Sequence, residues 1–407
     1  MSLRVKKYGG SSVATINHIK AIAQEIAKEK EKGYNIVVVV SAMSGETDQL
    51  LELSSSLYES PPPAREQDAI VATGEQKSSA LMAIALEGLG CPACSFQGWQ
   101  LPMTTDSTHS KARIQQIQKE NILKVLDEGK VVVVAGFQGI SEKGEVTTLG
   151  RGGSDTTAVA IAATLGADAC EIYTDVDGVY TADPNICSRA CHLKTVTYEE
   201  MLELSGLGAK VLQIRAVELA RKYKVPLLIK SSFGGERYTW IKEEEGELDM
   251  EDAVISGVTL ERNEAKIAVM EVPDKPGIAY RVISPLAEAE INVDMILQNV
   301  SIEGKTDLTF TVPSTELSRS RNLIEQIGEE IGIGGVRTND SIAKVSIVGT
   351  GMKNHPGVAA KMFETLAAEN INIQMISTSE IRISCVVDAK YGELAVRVLH
   401  DAFGLDS

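Results

Sequence analysis

Ile36-Val37-Val38-Val39-Val40 is the stretch on which the fold turns. Five consecutive β-branched apolar residues leave no polar side for a solvated strand face. A strand of this kind is buried on both faces, as in parallel sheets covered by helices. Upstream, residues 3–8 read as another strand. Val13–Lys32 reads as an amphipathic helix, with Ile16, Ile19, Ile22 and Ile26 on one stripe and Gly33 as its stop. Downstream, helical pattern spans Asp68–Leu89, Asn121–Glu128, Asp155–Leu165 and Gly208–Tyr223. Buried strands fall at Val131–Ala135, Ala169–Thr174 and Pro226–Lys230. Strands alternating with helices predict an α/β fold with a mostly parallel central sheet.

The alternation ends in an acidic block. Seven of the ten residues from Glu243 to Asp252 are Asp or Glu. Such a block repels itself and makes a natural boundary, so a domain junction is expected near residue 250. Beyond it lies a repeat. Pro276–Ile296 aligns without gaps to Pro356–Ile376 at an offset of 80, and nine of the 21 positions are identical. Each copy reads as strand, Pro-Gly turn, helix, Ile-Asn and two further strands, which is one small module duplicated. The strand around Val254–Leu260 is free to pair with either module. The copies differ: Asp274-Lys275-Pro276-Gly277 faces Asn354-His355-Pro356-Gly357, and Pro285 sits inside the first helix, where proline normally kinks or breaks.

The 407 residues carry 40 Lys and Arg against 56 Asp and Glu, a net charge of −16. That balance excludes the basic footprint of a non-specific nucleic-acid binder, yet still allows a small cationic pocket. No apolar run approaches the ~20 residues that span a bilayer, and no secretory leader precedes the first strand. Six cysteines point to a reducing cytoplasm. Cys91 and Cys94 form a CxxC whose only conceivable second pair is Cys187 and Cys191 with His192. Small buried thiols are the expected reading.

Three glycine-rich or acidic segments carry chemistry. Lys7-Tyr8-Gly9-Gly10-Ser11-Ser12 closes the first strand, where glycines let backbone N–H groups cradle an anion and the lysine adds a point charge. It matches neither the Walker loop nor the dinucleotide fingerprint. Gly150-Arg151-Gly152-Gly153-Ser154-Asp155 opens a helix, with Ser154 or Asp155 as its expected cap. Its arginine offers a planar fork for carboxylate or phosphate. Thr174–Pro184 follows a buried strand, where ligands of parallel sheets sit, and its aspartates lack the pattern of a calcium loop.

Together these segments resemble the aspartate kinases of the amino-acid kinase superfamily. Lys7–Ser12 is similar to that family's KFGGTS-type motif, Gly150–Asp155 to GRGGSD, Thr174–Pro184 to TDVDGxYTxDP and Gly208–Lys210 to GAK. The repeat resembles paired ACT modules. The resemblance implies a three-layer amino-acid kinase fold followed by two ferredoxin-like βαββαβ ACT modules. The expected domains are 1–250, 251–338 and 339–407. It implies transfer of the γ-phosphate of ATP, with Mg²⁺, to the side-chain carboxylate of L-aspartate, the first step toward lysine, threonine and methionine.

The same resemblance assigns roles. Lys7, Asp155 and Arg151 are the catalytic group. Lys7, Tyr8, Gly9, Gly10, Ser41, Thr174, Asp175, Tyr180, Asp183 and Lys210 surround ATP. Thr47, Glu75, Phe137, Arg151, Gly152, Gly153 and Ser154 hold aspartate. An effector, lysine or threonine or both, is expected at Asp274, Gly277, Ile278, Ala279, Asn292 and Gln298, and at Val358, Ala359, Asn372, Ile373, Ser379 and Glu380. Homo-oligomers through the ACT modules follow, and Met250 lies where a separate regulatory subunit would start. No further catalytic domain follows in the sequence, so a single activity is expected.

A carboxylate is ionised near pH 7 and needs no general base. Aligning two mutually repelling anions is what the site must do. Two rivals remain: a kinase of another small acid such as glutamate, and a catalytically inactive amino-acid sensor of the same fold. The presence of both Lys7 and Asp155 counts against the sensor.

Overall fold

The computed structural model describes residues 2–58, 62–206, 211–243, 254–299, 304–350, 352 and 355–406. The chain divides into two units, Met1–Val179 with His192–Glu247, and Tyr180–Cys191 with Leu248–Ser407.

An eight-stranded sheet organises the first unit. Its order is Thr195–Val196, Tyr238–Ile241, Leu227–Ser231, Ala169–Thr174, Leu3–Tyr8, Asn35–Val40, Val131–Ala135, Ala93–Phe96. All neighbouring pairs run parallel except Leu227–Ser231 with Tyr238–Ile241. Ile36 to Val40 are fully buried, as their unbroken apolar run requires. Helices Ile16–Glu31 and Thr73–Glu87 cover one face with Ile19, Ile22, Ile26, Met82 and Leu86. Helix Gly153–Leu165 packs against the central strands, and Ile214–Tyr223 packs in turn on that helix. Each such aliphatic side chain, wholly removed from water, contributes roughly 1.5–3 kcal/mol before entropy is counted. Thr15 starts the first helix by accepting from His18 N at 3.2 Å.

Chain order reverses around Leu3–Tyr8: the next strand pairs on one side, and Ala169–Thr174 on the other. In open parallel sheets that reversal opens a crevice at the carboxyl ends of the strands. A second sheet, Ile114–Ile117, Met103–Thr105, Gln138–Ser141 and Val146–Thr148, lies in the same unit. Two helices differ from their patterns. Asp68–Leu89 resolves into Ala64–Val71 and Thr73–Glu87; of the helix expected over Gly208–Tyr223, residues 208–210 lie outside the described residues, and the described part runs from Ile214, where Gln213 caps it.

The second unit holds two four-stranded sheets. Ile296–Gln298, Lys305–Pro313, Glu264–Pro273 and Gly335–Asn339, with helices Ile278–Glu288 and Leu317–Ile331, complete a βαββαβ module. Helix Ile278–Glu288 continues through Pro285, whose carbonyl accepts from Ala289 N at 3.1 Å. The other module supplies strands Ile342–Thr350, Arg382–Asp388 and Met375–Thr378 and helices Pro356–Ala368 and Gly392–Ala402. Its fourth strand is borrowed. Val254–Glu261, which precedes the first module in sequence and falls within the expected 251–338 domain, pairs antiparallel with Ile342–Thr350. No strand follows helix Gly392–Ala402 among the described residues, so that edge accepts the earlier segment.

Residues 180–191 depart from the expected 1–250 domain and pack into this same unit. Ala182 and Cys187 are buried with Val258, Leu399 and Leu405. Thr181 Oγ1 bonds His400 Nε2 at 2.9 Å, and its carbonyl accepts from Val258 N at 2.7 Å. Met295, Ile342, Met375 and Val386 form a small core joining the modules. Each module also sends a central-strand lysine into the other. Lys344 pairs with Asp294, and Lys266 Nζ donates to Gln374 Oε1 at 2.6 Å. Asp294 and Gln374 occupy the same position of the repeat.

Candidate active site

The crevice of the first unit is a cleft of about 470 Å³. Its walls come from the ends of Leu3–Tyr8 and Asn35–Val40, the start of helix Thr73–Glu87, and the loop that opens helix Gly153–Leu165. Strand alternation decides what each residue of Lys6-Lys7-Tyr8 does. Lys7 faces the cleft, with Nζ 2.6 Å from Asp155 Oδ1 and both side chains largely buried. Lys6 and Tyr8 face the other side. Lys6 meets Glu29 at 2.6 Å, and Tyr8 stacks on Tyr173 with ring centroids 4.6 Å apart. Burial raises the Tyr8 phenol well above its usual value. Tyr8 therefore offers a ligand nothing but backbone. Gly9 N is already committed to Tyr173 O at 3.1 Å.

Arg151 lines the same cleft as Lys7 and is exposed, without an ion pair among the described residues. Glu75 is 3% exposed; Oε1 accepts from Ala42 N at 3.0 Å, whereas Oε2 is buried without a partner. Burial, ahead of the opposing hydrogen bonds, pushes its carboxyl up to about 7. An open buried oxygen of this kind is an acceptor set out for a cationic donor.

Phe137 also lines the cleft, at φ +70°, a backbone setting that costs a non-glycine residue roughly 1–3 kcal/mol. Two bonds hold it there: Phe137 N to Thr157 Oγ1 at 3.1 Å and Leu149 N to Phe137 O at 2.9 Å. Its ring closes over Gly153, where an added Cβ would sit 2.9 Å from Cδ2. The glycine is what lets the ring and the helix start share that space. The helix is capped by Gly152 in the left-handed region, with no side-chain cap, so Ser154 and Asp155 stay available to the cleft.

The amino acid kinase family model matches residues 2–231, and ACT domain models match 266–332 and 345–403. An aspartate kinase of Stutzerimonas stutzeri is 53% identical over 407 residues, covering all of this chain and 98% of its own. The chain belongs to the aspartate kinase family. The crystal structure of the aspartate kinase from Synechocystis is 41% identical, covers 99% of this chain and 70% of its own, and superposes with a TM-score of 0.54. The E. coli aspartokinase III structure in complex with lysine and aspartate, in its T state, is 25% identical, with coverage of 98% and 99% and a TM-score of 0.75.

In this aspartate kinase, Lys7, Gly10, Ser41, Thr47, Glu75, Phe137, Arg151, Gly152, Gly153 and Ser154 line one cleft. Asp155 joins them through Lys7. Thr174 and Asp175 end the strand on the other side of Leu3–Tyr8, with Thr174 Oγ1 donating to Asp175 Oδ1 at 3.0 Å. Tyr180 and Asp183 belong to the second unit, where Asp183 Oδ1 accepts from Asn185 N at 2.9 Å. Lys210 and Met250 lie outside the described residues.

The effector positions occupy matching places in the two modules. Gly277 caps helix Ile278–Glu288 at φ +87°, Ala279 follows it, and Val358 and Ala359 lie in the first turns of helix Pro356–Ala368. Asn292 and Asn372 precede the short edge strands, on which Gln298 lies. Ser379 and Glu380 follow the second of these, with Ser379 N donating to Arg382 O at 2.8 Å. Asp274 N donates to Gly304 O at 2.9 Å. The sequence reading missed Asp68, Ser110 and Thr148, which also wall the cleft. They sit outside every glycine motif, and nothing local distinguishes them.

Proposed function

We infer that this aspartate kinase transfers the γ-phosphate of ATP to the side-chain carboxylate of L-aspartate within the Lys7–Arg151 cleft. The observation that carries the reading is the shared wall. Two cations and a buried carboxylate with one open oxygen converge on one space of about 470 Å³. That set matches an amino acid: Arg151 for the α-carboxylate, Glu75 for the α-ammonium, Thr47 and Ser154 for the remaining polar atoms. Lys7, fixed by Asp155, lies where the charge of a transferring phosphoryl group would develop. ATP would approach along the strand ends that carry Gly10, Ser41, Thr174 and Asp175. Tyr180, Asp183 and Lys210 enter this proposal through the family motif alone.

The donors fit a magnesium ion that arrives with the nucleotide. Asp155 is the carboxylate at Lys7, and no three ligand side chains cluster among the described residues. Asp155 would hold such an ion through water, and the ion would neutralise phosphate charge. The chain's own residues bind, orient and exclude water from an acyl phosphate that hydrolyses readily.

Glu75 gives this reading a pH signature. With its carboxyl at about 7, half of the free enzyme carries a protonated Glu75 at that pH. The α-ammonium of aspartate needs the ionised form, so kcat/KM for aspartate rises roughly tenfold per unit below pH 7 and levels above it. Glu75→Gln abolishes that step and leaves aspartate binding weak at every pH. A profile that is flat from pH 6 to 8 in the unmodified enzyme would remove Glu75 from the substrate site.

The modules match ACT domains, and the E. coli relative was crystallised with lysine. Lysine, threonine or both are proposed to bind at the two effector sets, in a homo-oligomer, and to favour a less active arrangement. Hydroxamate trapping of the product, run with aspartate and with glutamate and titrated with lysine and threonine singly and together, tests substrate and regulation at once. Trapping with aspartate but not glutamate, suppressed by at least one effector, is expected. Effector binding with no ADP release would restore the inactive-sensor reading.

A further inference from the structure

Two buried carboxylates wall the cleft, and they are opposites. Glu75 keeps one oxygen open, whereas Asp68 is saturated. Asp68 is wholly buried on helix Ala64–Val71, in contact with groups 40 to 80 residues away. Its oxygens take Ser110 N at 3.0 Å, Thr148 N at 3.1 Å, Thr148 Oγ1 at 2.6 Å and His109 Nδ1 at 2.8 Å, with Ser110 Oγ at 3.5 Å. A carboxylate offers about four lone-pair positions, so nothing remains for a substrate ammonium. What Asp68 holds is backbone: Thr148 leads through Leu149 and Gly150 directly to Arg151.

Arg215 holds the same loop from outside. It stands half-buried in the first turn of helix Ile214–Tyr223. Its guanidinium donates to Leu149 O at 2.6 Å and to Ala112 O at 2.8 Å. Ala112 N in turn donates to Thr148 O at 2.9 Å. The fork thus bridges two neighbouring segments, a geometry that one ammonium nitrogen reproduces poorly. Directly after these anchors Gly150 adopts φ +79°, where an added Cβ would lie 3.0 Å from Ser110 O. The loop is therefore gripped at Thr148 by a buried anion, at Leu149 by a half-buried cation, and pressed against Ser110 at Gly150. Arg151 itself carries no such support among the described residues.

We propose that Asp68 and Arg215 are positioning residues for aspartate recognition, acting through the backbone of the Arg151 loop and touching neither substrate. This rests on the assignment of Arg151 to aspartate above. Displacing a preorganised group by about 1 Å costs up to ~10²-fold. Asp68→Asn and Arg215→Met are therefore expected to raise KM for aspartate by roughly 10- to 100-fold. KM for ATP should stay within about twofold and kcat within about threefold. Arg215→Lys should fall between Arg215→Met and the unmodified enzyme.

A double-mutant cycle with Arg151→Ala is the deciding measurement. If both residues act through Arg151, neither raises KM for aspartate further once Arg151 is gone. Arg215 is only half-buried, so its variants decide the matter should Asp68→Asn fail to fold. A normal aspartate KM in Arg215→Met, equal losses for ATP and aspartate, or full additivity with Arg151→Ala would overturn the proposal. An Arg151→Ala enzyme with unchanged aspartate KM would overturn the substrate assignment, and the proposal with it.

Discussion

Lys7→Ala lowers kcat by about 10²–10³, which corresponds to roughly 2.7–4 kcal/mol of lost transition-state stabilisation. The size follows from preorganisation. Lys7 is 8% exposed and its ammonium is pinned 2.6 Å from Asp155, so its orientation is set by folding and not during the reaction. The proposed nucleotide site spreads ground-state binding over many contacts, including the glycine-rich turn and the neighbouring strand ends. ADP affinity, measured by calorimetry, should therefore fall less than tenfold. The variant also strands the Asp155 carboxylate beside incoming phosphate, and the added repulsion deepens the loss. Removing that charge too, in Lys7→Ala with Asp155→Asn, should recover part of the turnover. Aspartate-dependent ADP release within about threefold of normal in Lys7→Ala would end the case for this residue.

Arg151→Ala raises KM for aspartate by roughly 10- to 200-fold, with KM for ATP within about twofold. The range is that of one charge-assisted contact, about 1.5–3 kcal/mol. Arg151 has no carboxylate partner of its own among the described residues, so its removal exposes no buried anion and leaves the fold intact. Arg151→Lys keeps the charge and loses the planar fork, and should recover only a fraction. Initial rates at fixed ATP and varied aspartate, then the reverse, separate the two substrates. Equal losses for both would place Arg151 on the phosphates.

What the sequence made legible was what local pattern controls. Ile36–Val40 had to be buried on both faces, and Lys7 and Arg151 sat in turns whose glycines announce close backbone approach. The misreadings have physical causes. Tyr8 adjoins Lys7 in the motif, but strand alternation sends its ring to the opposite side of the sheet. Ser154 looked like a helix cap, yet Gly152 takes that position because its φ of +69° suits glycine. Asp68 and Arg215 act on backbone 80 and 66 residues away, and no periodicity reports contacts at that separation. The Thr174–Pro184 motif reads as one piece. The burial of Ala182 and Cys187 nevertheless commits its second half to the other unit.

The borrowed strand Val254–Glu261 makes the paired modules a single stitched object. Cutting the chain between them would not yield two self-sufficient halves. The later half would be left with the raw hydrogen-bonding edge of Ile342–Thr350, an invitation to aggregate. The stitch also fixes an order of assembly. Val258 must wait for Ile347 to emerge, with an entire module between them, before either sheet edge is sealed. The dependence runs one way: the later copy cannot be moved or exchanged without the segment that precedes its twin, whereas the earlier copy keeps a sheet built from its own strands.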